Sequence, residues 1–487
     1  MALVPLEIPP GVFRNGTDLQ VSGRWIDCNL IRWKDGVMRP IGGWVSKGTV
    51  SGIVRGAFAW KTNIGEKWAA FGTADGLHVM GAGYGVSDIS PVDLAAGSVG
   101  QSGAFGYGAG PYGEEAYGTP HTVSGLVTPA TTWAMDNWGE NLIAVSSADK
   151  RILEWSLTGD AAPVTGAPNC DSAMVTQERF LFALGADGDP RKVAWSDRED
   201  NTEWTPASTN EAGDFTLQTT GRIMAGLRAK QQSLILTDQD AFSVTYINPP
   251  YVHRFDQVGT SCGLIAPLAA ASVDSGVIWM GQRSFYAYRD GSVMQIPCDV
   301  ADYVFSDINY MQASKIAAVS NQGWSEIWWL YPSEGSTECD RYVVYNYADN
   351  LWYFGQIDRT AGFDAGAWAK PVMVAADGTV YEHETAYSHG ADIPFAESGP
   401  ISMGAGDVTF SALSLIPDER TQGDVQARFK TRFYPQGPEA VFGPYQMSNP
   451  TDVRFTGRQA RMRVEGVRNT DWRVGTMRLD VVKRGRK

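Results

Sequence analysis

The chain has 487 residues, 43% of them apolar and 11% aromatic, which excludes global disorder and exceeds one ordinary core, so roughly two to four domains are expected. Its five cysteines (Cys28, Cys170, Cys262, Cys298, Cys339) are scattered with no CxxC pair, which excludes a disulfide framework and a thiolate metal site and fits a reducing cytoplasm. The net charge of −14 is unevenly held: residues 420–487 carry fifteen Arg/Lys against six Asp/Glu, a balance of +9, which leaves −23 for residues 1–419.

In chain order, Met1 to Pro10 lacks the basic start and apolar stretch of a signal peptide, and no apolar run approaches the roughly 20 residues of a membrane span. Residues 1–52 read as an arm with one strand, Trp25 to Trp33, between the turns Pro9-Pro10-Gly11, Asn15-Gly16 and Gly42-Gly43. Residues 53–390 then repeat one unit: a short apolar run, a tight Asp/Gly/Asn turn and a second run. The turns fall at Asp75-Gly76, Asp149-Lys150, Asp187-Gly188-Asp189, Asp238-Gln239-Asp240 and Asp377-Gly378. Self-similar hairpins a few tens of residues apart are the sequence form of a radial β architecture, so an all-β propeller of six blades is expected over 53–390.

Residues 97–120 form a Gly/Tyr-rich tract too poor in side chains to build a core, read as a loop between blades. Asp299 is expected to cap a short helix whose stripe is Val300, Val304 and Ile308. From Glu326 to Tyr331 both faces of the strand are apolar, as in a blade pressed between neighbours.

Beyond residue 390 strict alternation takes over. Val425, Ala427 and Phe429 face one way while Arg428, Lys430 and Arg432 face the other, so residues 391–487 are expected to form a β-sandwich platform with one basic face. Arg428, Lys430, Arg432, Arg458, Arg461, Arg463, Arg468, Arg473 and Arg478 are the candidate residues of that face. Such a surface serves nucleic acid or acidic protein neighbours. Interleaved aromatics are few and docking is the favoured reading.

Catalytic motifs fare poorly. Gly108 to Gly113 matches GxGxxG by letter, but Pro111 and the flanking glycines offer no strand before it and no helix after it. His383, Glu384 and His389 miss the zincin spacing, because Tyr387 stands where the second histidine belongs. Asp187, Asp189, Asp197, Glu199 and Asp200 crowd together as a glycosidase pair would, yet turn aspartates that bond their own backbone explain them better. Ser147 to Trp155 departs from the sialidase Asp-box, with Arg151 where glycine is wanted. No catalytic, cofactor-binding or metal-binding residue is expected.

The order of parts resembles the tail nozzle proteins of short-tailed bacteriophages, the propeller-type tail accessory or tail tubular proteins. The resemblance rests on Gly23 to Trp33 with Met38 to Gly43, on the Gly/Tyr tract, on Trp195 to Trp204, and on Arg341 to Tyr347 followed by Leu351-Trp352-Tyr353. It implies a structural virion protein without enzymatic activity. Six copies would form a ring below the portal and adaptor, next to fibre, spike or needle proteins, assembled in the host cytoplasm. Double-stranded DNA would be retained in the channel and pass through it at ejection without sequence-specific binding. Carboxylates of the acidic body, within about one Debye length (~8 Å) of the phosphates, would keep the duplex centred. The competing class is a glycan-binding or glycan-cleaving propeller at the host surface.

Overall fold

The computed structural model describes residues 2–101, 128–402, 408–420 and 422–485. Among them, seven four-stranded antiparallel sheets follow one another at 57–88, 133–163, 172–216, 223–259, 270–296, 317–356 and 361–383, the last completed by Trp44–Thr49. The first strands of successive sheets are neighbours all the way round, and that of the seventh meets that of the first. The seven blades thus close into a propeller.

The expectation of six blades is therefore corrected to seven. The blade that escapes the linear count is 270–296, whose second and third strands are joined by Gly281-Gln282-Arg283-Ser284 without an aspartate. The repeat 361–383, marked by Asp377-Gly378, takes its outer strand from before the propeller: Thr379–His383 pairs with Trp44–Thr49, more than 300 residues earlier in the chain. The pairing also locks the ring shut, since it joins chain segments from both ends of the propeller.

Tryptophans stitch the blades. Glu326–Tyr331 is buried at every position, and Trp329 donates Nε1–H to Ala269 O of blade 5 at 3.0 Å while its ring lies 4.7 Å from Phe285. Between blades 1 and 2, Trp133 donates to Thr73 O at 2.7 Å. Its ring lies where a Cβ on Gly72 would stand, 2.1 Å from Cγ, so only glycine admits it. Each indole adds apolar burial and satisfies its one donor on a backbone carbonyl of the neighbouring segment.

Both chain ends meet in the platform. One sheet has the order Ala2–Leu6, Met477–Lys483, Phe410–Ile416, Thr451–Gly457; the other runs Trp25–Asn29, Phe395–Ser398, Gln459–Gly466, Val425–Arg432, Ala440–Gln446, with Ile401–Ser402 beside Gln459–Gly466. Alternate residues of Val425–Arg432 fill the core between the sheets, Val425, Ala427 and Phe429 being buried. The segments 2–6 and 25–29 are thus platform strands, while 44–49 is a propeller strand.

The helix spans Ala301–Asp307, with Val300, Val304 and Ile308 buried. Asp299 is not its cap. The N-cap is Val300 without a side-chain bond, because the arm occupies Asp299: its carbonyl accepts from Arg14 N and Asn15 N, and its carboxylate pairs with Arg24 at 3.6 Å. Residues 102–120 of the Gly/Tyr tract, Gly108 to Gly113 and His121 lie outside the described residues. No helix among the described residues is long and apolar enough to cross a membrane.

Candidate docking face, axial cavity and buried charge

The alternation of Val425–Arg432 and Gln459–Gly466 puts Arg428 opposite Arg463 and Lys430 opposite Arg461. Like charges facing across strands repel, and carboxylates between them remove the conflict. Glu397, from the next strand, accepts from Lys430 at 2.9 Å and pairs with Arg461 at 2.5 Å and Arg463 at 3.6 Å. Glu465 takes Arg428 at 3.0 Å and Arg463 at 2.6 Å. Burial alone would raise the Glu465 carboxyl, but hydrogen bonds from Arg463 and Gln426 and the charges of Arg463 and Arg428 hold it below its ordinary value. Arg461 also reaches Glu439 at 3.1 Å, and the Arg463 guanidinium stacks on Phe395.

Of the candidate basic residues, these four cluster half-buried around Glu397 and Glu465, while Arg432, on the same side of its strand, is withdrawn from solvent. Arg432 is buried, bonded to Gln459 and ion-paired with Asp18 of the arm at 2.6 Å. Arg458 covers Tyr434, Arg468 is exposed beside Asp424, and Arg473 pairs with Asp471. Arg478 lies on the other sheet, exposed in Met477–Lys483. The face is a cation ladder already half neutralised, which a count of basic residues along the strands does not reveal.

On the propeller axis lies a cavity of about 1130 Å³ lined by the first strand of every blade. Every blade contributes an alanine to its wall: Ala57, Ala134, Ala173, Ala225, Ala270, Ala318 beside Ala317, and Ala361. Small side chains are required where seven inner strands converge, and this periodic alanine was a signal available in the sequence. The turns between second and third strands open at one end of this axis, as Ser147, Ala148 and Pro190 on its wall show. They carry the repeated aspartates, so the hairpin turns place carboxylates around one rim.

Most of the aspartates singled out in the sequence, on that rim or in the 196–212 connection of blade 3, are spent locally. Asp189 accepts from Arg191 N at 3.0 Å, Asp197 from Glu211 N at 2.8 Å and Asp377 from Thr379 N at 2.8 Å. Asp200 accepts from the Thr202 amide and hydroxyl, which lower its carboxyl. Asp149 is held by Arg151 at 2.6 Å and by Ala95 N at 2.8 Å.

Sequence reasoning missed Glu326, an acid completely enclosed among the described residues. Glu326 of blade 6 and Glu384, just past blade 7, grip Arg32 of the hairpin Ile31–Lys34/Val37–Pro40 from two sides. Arg32 Nε lies 2.8 Å from Glu326 Oε1, and Nη2 lies 2.9 Å from Glu326 Oε2 and 2.6 Å from Glu384 Oε1. Trp328 Nε1 and Tyr353 OH also donate to Glu326, while Asn321 and Gly42 N donate to Glu384. Burial pushes the Glu326 carboxyl up. Burial would also raise Glu384, yet the Arg32 charge and hydrogen bonds bring it below its ordinary value. These two carboxylates face a shared guanidinium, and neither lines the axial cavity.

His383 and His389 are both buried, the first accepting from Arg359 and the second bonded to Ile41 O. Among the described residues no His, Cys, Asp and Glu group has the arrangement of a metal site. All five cysteines are free thiols.

These features define the class: a seven-bladed β-propeller carrying a β-sandwich platform built from both ends of the chain. No family model and no curated protein matches it. Among solved structures, the extracellular domain of the putative one-component system BT4673 from B. thetaiotaomicron is similar at 11% identity and a TM-score of 0.42, over 85% of this chain and 47% of that one. PorZ of Porphyromonas gingivalis, a surface component of the type-IX secretion system, is similar at 9% identity and a TM-score of 0.39, over 76% of this chain and 44% of its own. The Neurospora crassa Pan2 WD40 domain is similar at 6% identity and a TM-score of 0.40, over 72% and 95% respectively. The chain thus spans less than half the length of the first two. These likenesses concern the fold alone.

Proposed function

We propose that this chain is a structural, ring-forming nozzle subunit of a short-tailed phage tail, which retains double-stranded DNA and passes it at ejection. The observation that carries the proposal is where the resembling segments lie. Trp25–Asn29 runs beside Leu351–Gln356 of blade 6, with Cys28 Sγ 3.0 Å from Phe354 O and Asn29 Oδ1 accepting from Gln356 N at 2.9 Å. Arg32, from the same stretch, enters Glu326 of blade 6. Segments more than 300 residues apart thus form one rigid joint between propeller and platform, as a load-transmitting ring subunit needs.

In this proposal the DNA passage runs between copies, not along the propeller axis. The alanine-walled cavity of about 1130 Å³ does not admit a duplex whose major groove alone is about 12 Å wide. The ladder Arg428, Lys430, Arg461 and Arg463 is the subunit-docking face, where partly exposed charge pairs set orientation and partner choice more than affinity. Light scattering of the purified chain, alone and with an adaptor protein, tests the proposal. A closed oligomer of several protomers is expected. A lasting monomer that retains or cleaves polysaccharide would contradict it and favour the glycan-acting class.

A further inference from the structure

The chain crosses between propeller and platform twice, at residues 41–44 and again at 384–392, and the two crossings run side by side. Gly43 N donates to Ala386 O at 2.9 Å, Thr385 N to Gly43 O at 3.0 Å and Trp44 N to Ser388 O at 3.3 Å. A Cβ on Gly43 would lie 2.3 Å from Ser388 O and one on Gly42 2.3 Å from Glu384 Oε2, so the strands touch too closely for any side chain. His383, the last residue of the blade 7 strand Thr379–His383, and His389 of the second crossing flank the same indole: Trp44 lies 5.4 Å from His383 and 5.3 Å, edge-on, from His389.

The chemistry around these imidazoles is one-sided. Arg359 is 4% exposed, donates Nε–H to His383 Nε2 at 3.0 Å and Nη1–H to Asp358 O, and its Nη2 has no partner. Its guanidinium lies over the rings of Tyr381 and Trp44, with no carboxylate in contact. An arginine only donates, so His383 Nε2 carries no proton and the ring is neutral. His389 Nε2 meets Ile41 O at 3.0 Å, and its Nδ1 is buried without a partner.

The charged and titratable groups facing the cluster come from every element around it. Asp358 and Asp377 act on Arg359; Glu384 and Asp392 act on His389, with Arg32 paired to Glu384 at 2.6 Å; Lys370 donates to Glu384 O and Thr385 Oγ1; Glu382 is bonded to Tyr84 and Thr385. Burial, then the Arg359 charge, then His389 depress His383. Burial likewise depresses His389 against the pull of Glu384 and Asp392. A proton on His383 would point at the Arg359 Nε–H from 3.0 Å, two buried donors facing each other. The cheapest escape is for the ring to leave, and with it the crossing.

We propose that the paired crossing is an acid-released joint, in which protonation of His383 and His389 uncouples the platform from blade 7 while blades and sandwich remain folded. The sign follows from linkage. Groups depressed in the closed state keep the joint shut above the unperturbed histidine value near 6.5, and closure weakens as pH falls below it, by up to about tenfold per pH unit for each proton taken up. The joint would respond between neutral and mildly acidic pH. None of this depends on the ring assignment, since a monomer would show it equally.

Hydrogen exchange on the full chain at pH 7.5 and 5.0, normalised for intrinsic rate, tests the proposal. The amides of Gly43, Trp44 and Thr385 should lose protection at least about tenfold at the lower pH, while those of Glu326–Tyr331 keep theirs. The double variant His383→Gln, His389→Gln retains an acceptor and a donor without a titratable ring, and should stay closed at pH 5.0. Protection of the crossing down to global unfolding, or equal opening in the double variant, would overturn the proposal. Should that variant fail to fold, the ring resonances of the wild-type histidines decide. Titration of His383 and His389 together with crossing exchange supports the proposal, and opening while both stay neutral refutes it.

Discussion

The molecule twice sets arginine between carboxylates, in opposite surroundings. At the joint, Arg32 and Glu326 are 1% exposed, and every acceptor is matched by a donor from a different element. On the platform, Arg461, Arg463, Lys430 and Arg428 keep between 22% and 39% of their side chains in solvent around Glu397 and Glu465. The same ion pairing does different work in each place. In the joint, desolvation makes the network intolerant of losing any member, so it fixes one geometry between blade 6, blade 7 and the N-terminal hairpin. On the platform the carboxylates are buried but the cations keep part of their side chains in water, so a single cation contributes little to stability and the ladder remains open to a partner.

The largest expected effect breaks the first term of that comparison. Arg32→Met leaves Glu326 and Glu384 buried without a cation and should cost about 3–5 kcal/mol, seen as a lowered denaturant midpoint with both the propeller and the platform affected. Equal stability would mean that the joint does not depend on the network.

A second effect belongs to the propeller alone. His253 is caged by Phe180, Phe182 and Trp195 at ring distances of 4.7, 5.0 and 5.0 Å, and neither ring nitrogen has a partner. Burial lowers its pKa to about 4. Its contribution to stability is therefore complete above about pH 6.5 and is lost as pH falls toward 4, by up to about 1.4 kcal/mol per pH unit. Thermal unfolding of His253→Phe against wild type between pH 7 and 4.5 should show a shallower acid decline in the variant. Parallel profiles would contradict the neutral-ring assignment.

Smaller changes sharpen the second term. Glu397→Gln leaves Lys430, Arg461 and Arg463 converging on a neutral amide and should cost about 1–2 kcal/mol, partly recovered in salt because the cations are partly exposed. Arg428→Ala should change stability by only about 0–1 kcal/mol. It should nonetheless weaken subunit assembly, measurable as a rise in the concentration at which oligomers dissociate. If assembly is unchanged, the docking face lies elsewhere.

Blade 5 aside, what the sequence disclosed and what it hid follow the same division between local and distant pairing. The two-faced apolar run Glu326 to Tyr331 announces a strand between two layers, and the structure buries all six positions. The alternation from Val425 announces a one-sided sheet and is found. Blade 5 stayed hidden because Gly281 to Ser284, between its second and third strands, carries no aspartate, and Glu326 looked like a polar strand end because Arg32, its partner, is 294 residues away. The basic face read as uncompensated for the same reason: Glu397 stands on a different strand from the three cations it serves, Lys430, Arg461 and Arg463. The alanine that begins the inner wall of each blade was legible, but only as a periodicity of small residues, a weaker mark than the Asp/Gly turns.

The central claim, that rigid propeller and platform form a ring subunit enclosing a passage between copies, is tested most directly by electron microscopy of the purified full-length chain at physiological salt. The account predicts closed rings with an opening wide enough for duplex DNA, in which the Arg428, Lys430, Arg461 and Arg463 ladder meets a neighbouring copy. Isolated single-chain particles at every concentration, or rings in which that ladder faces open solvent and the only passage is the alanine-walled propeller axis, would contradict it.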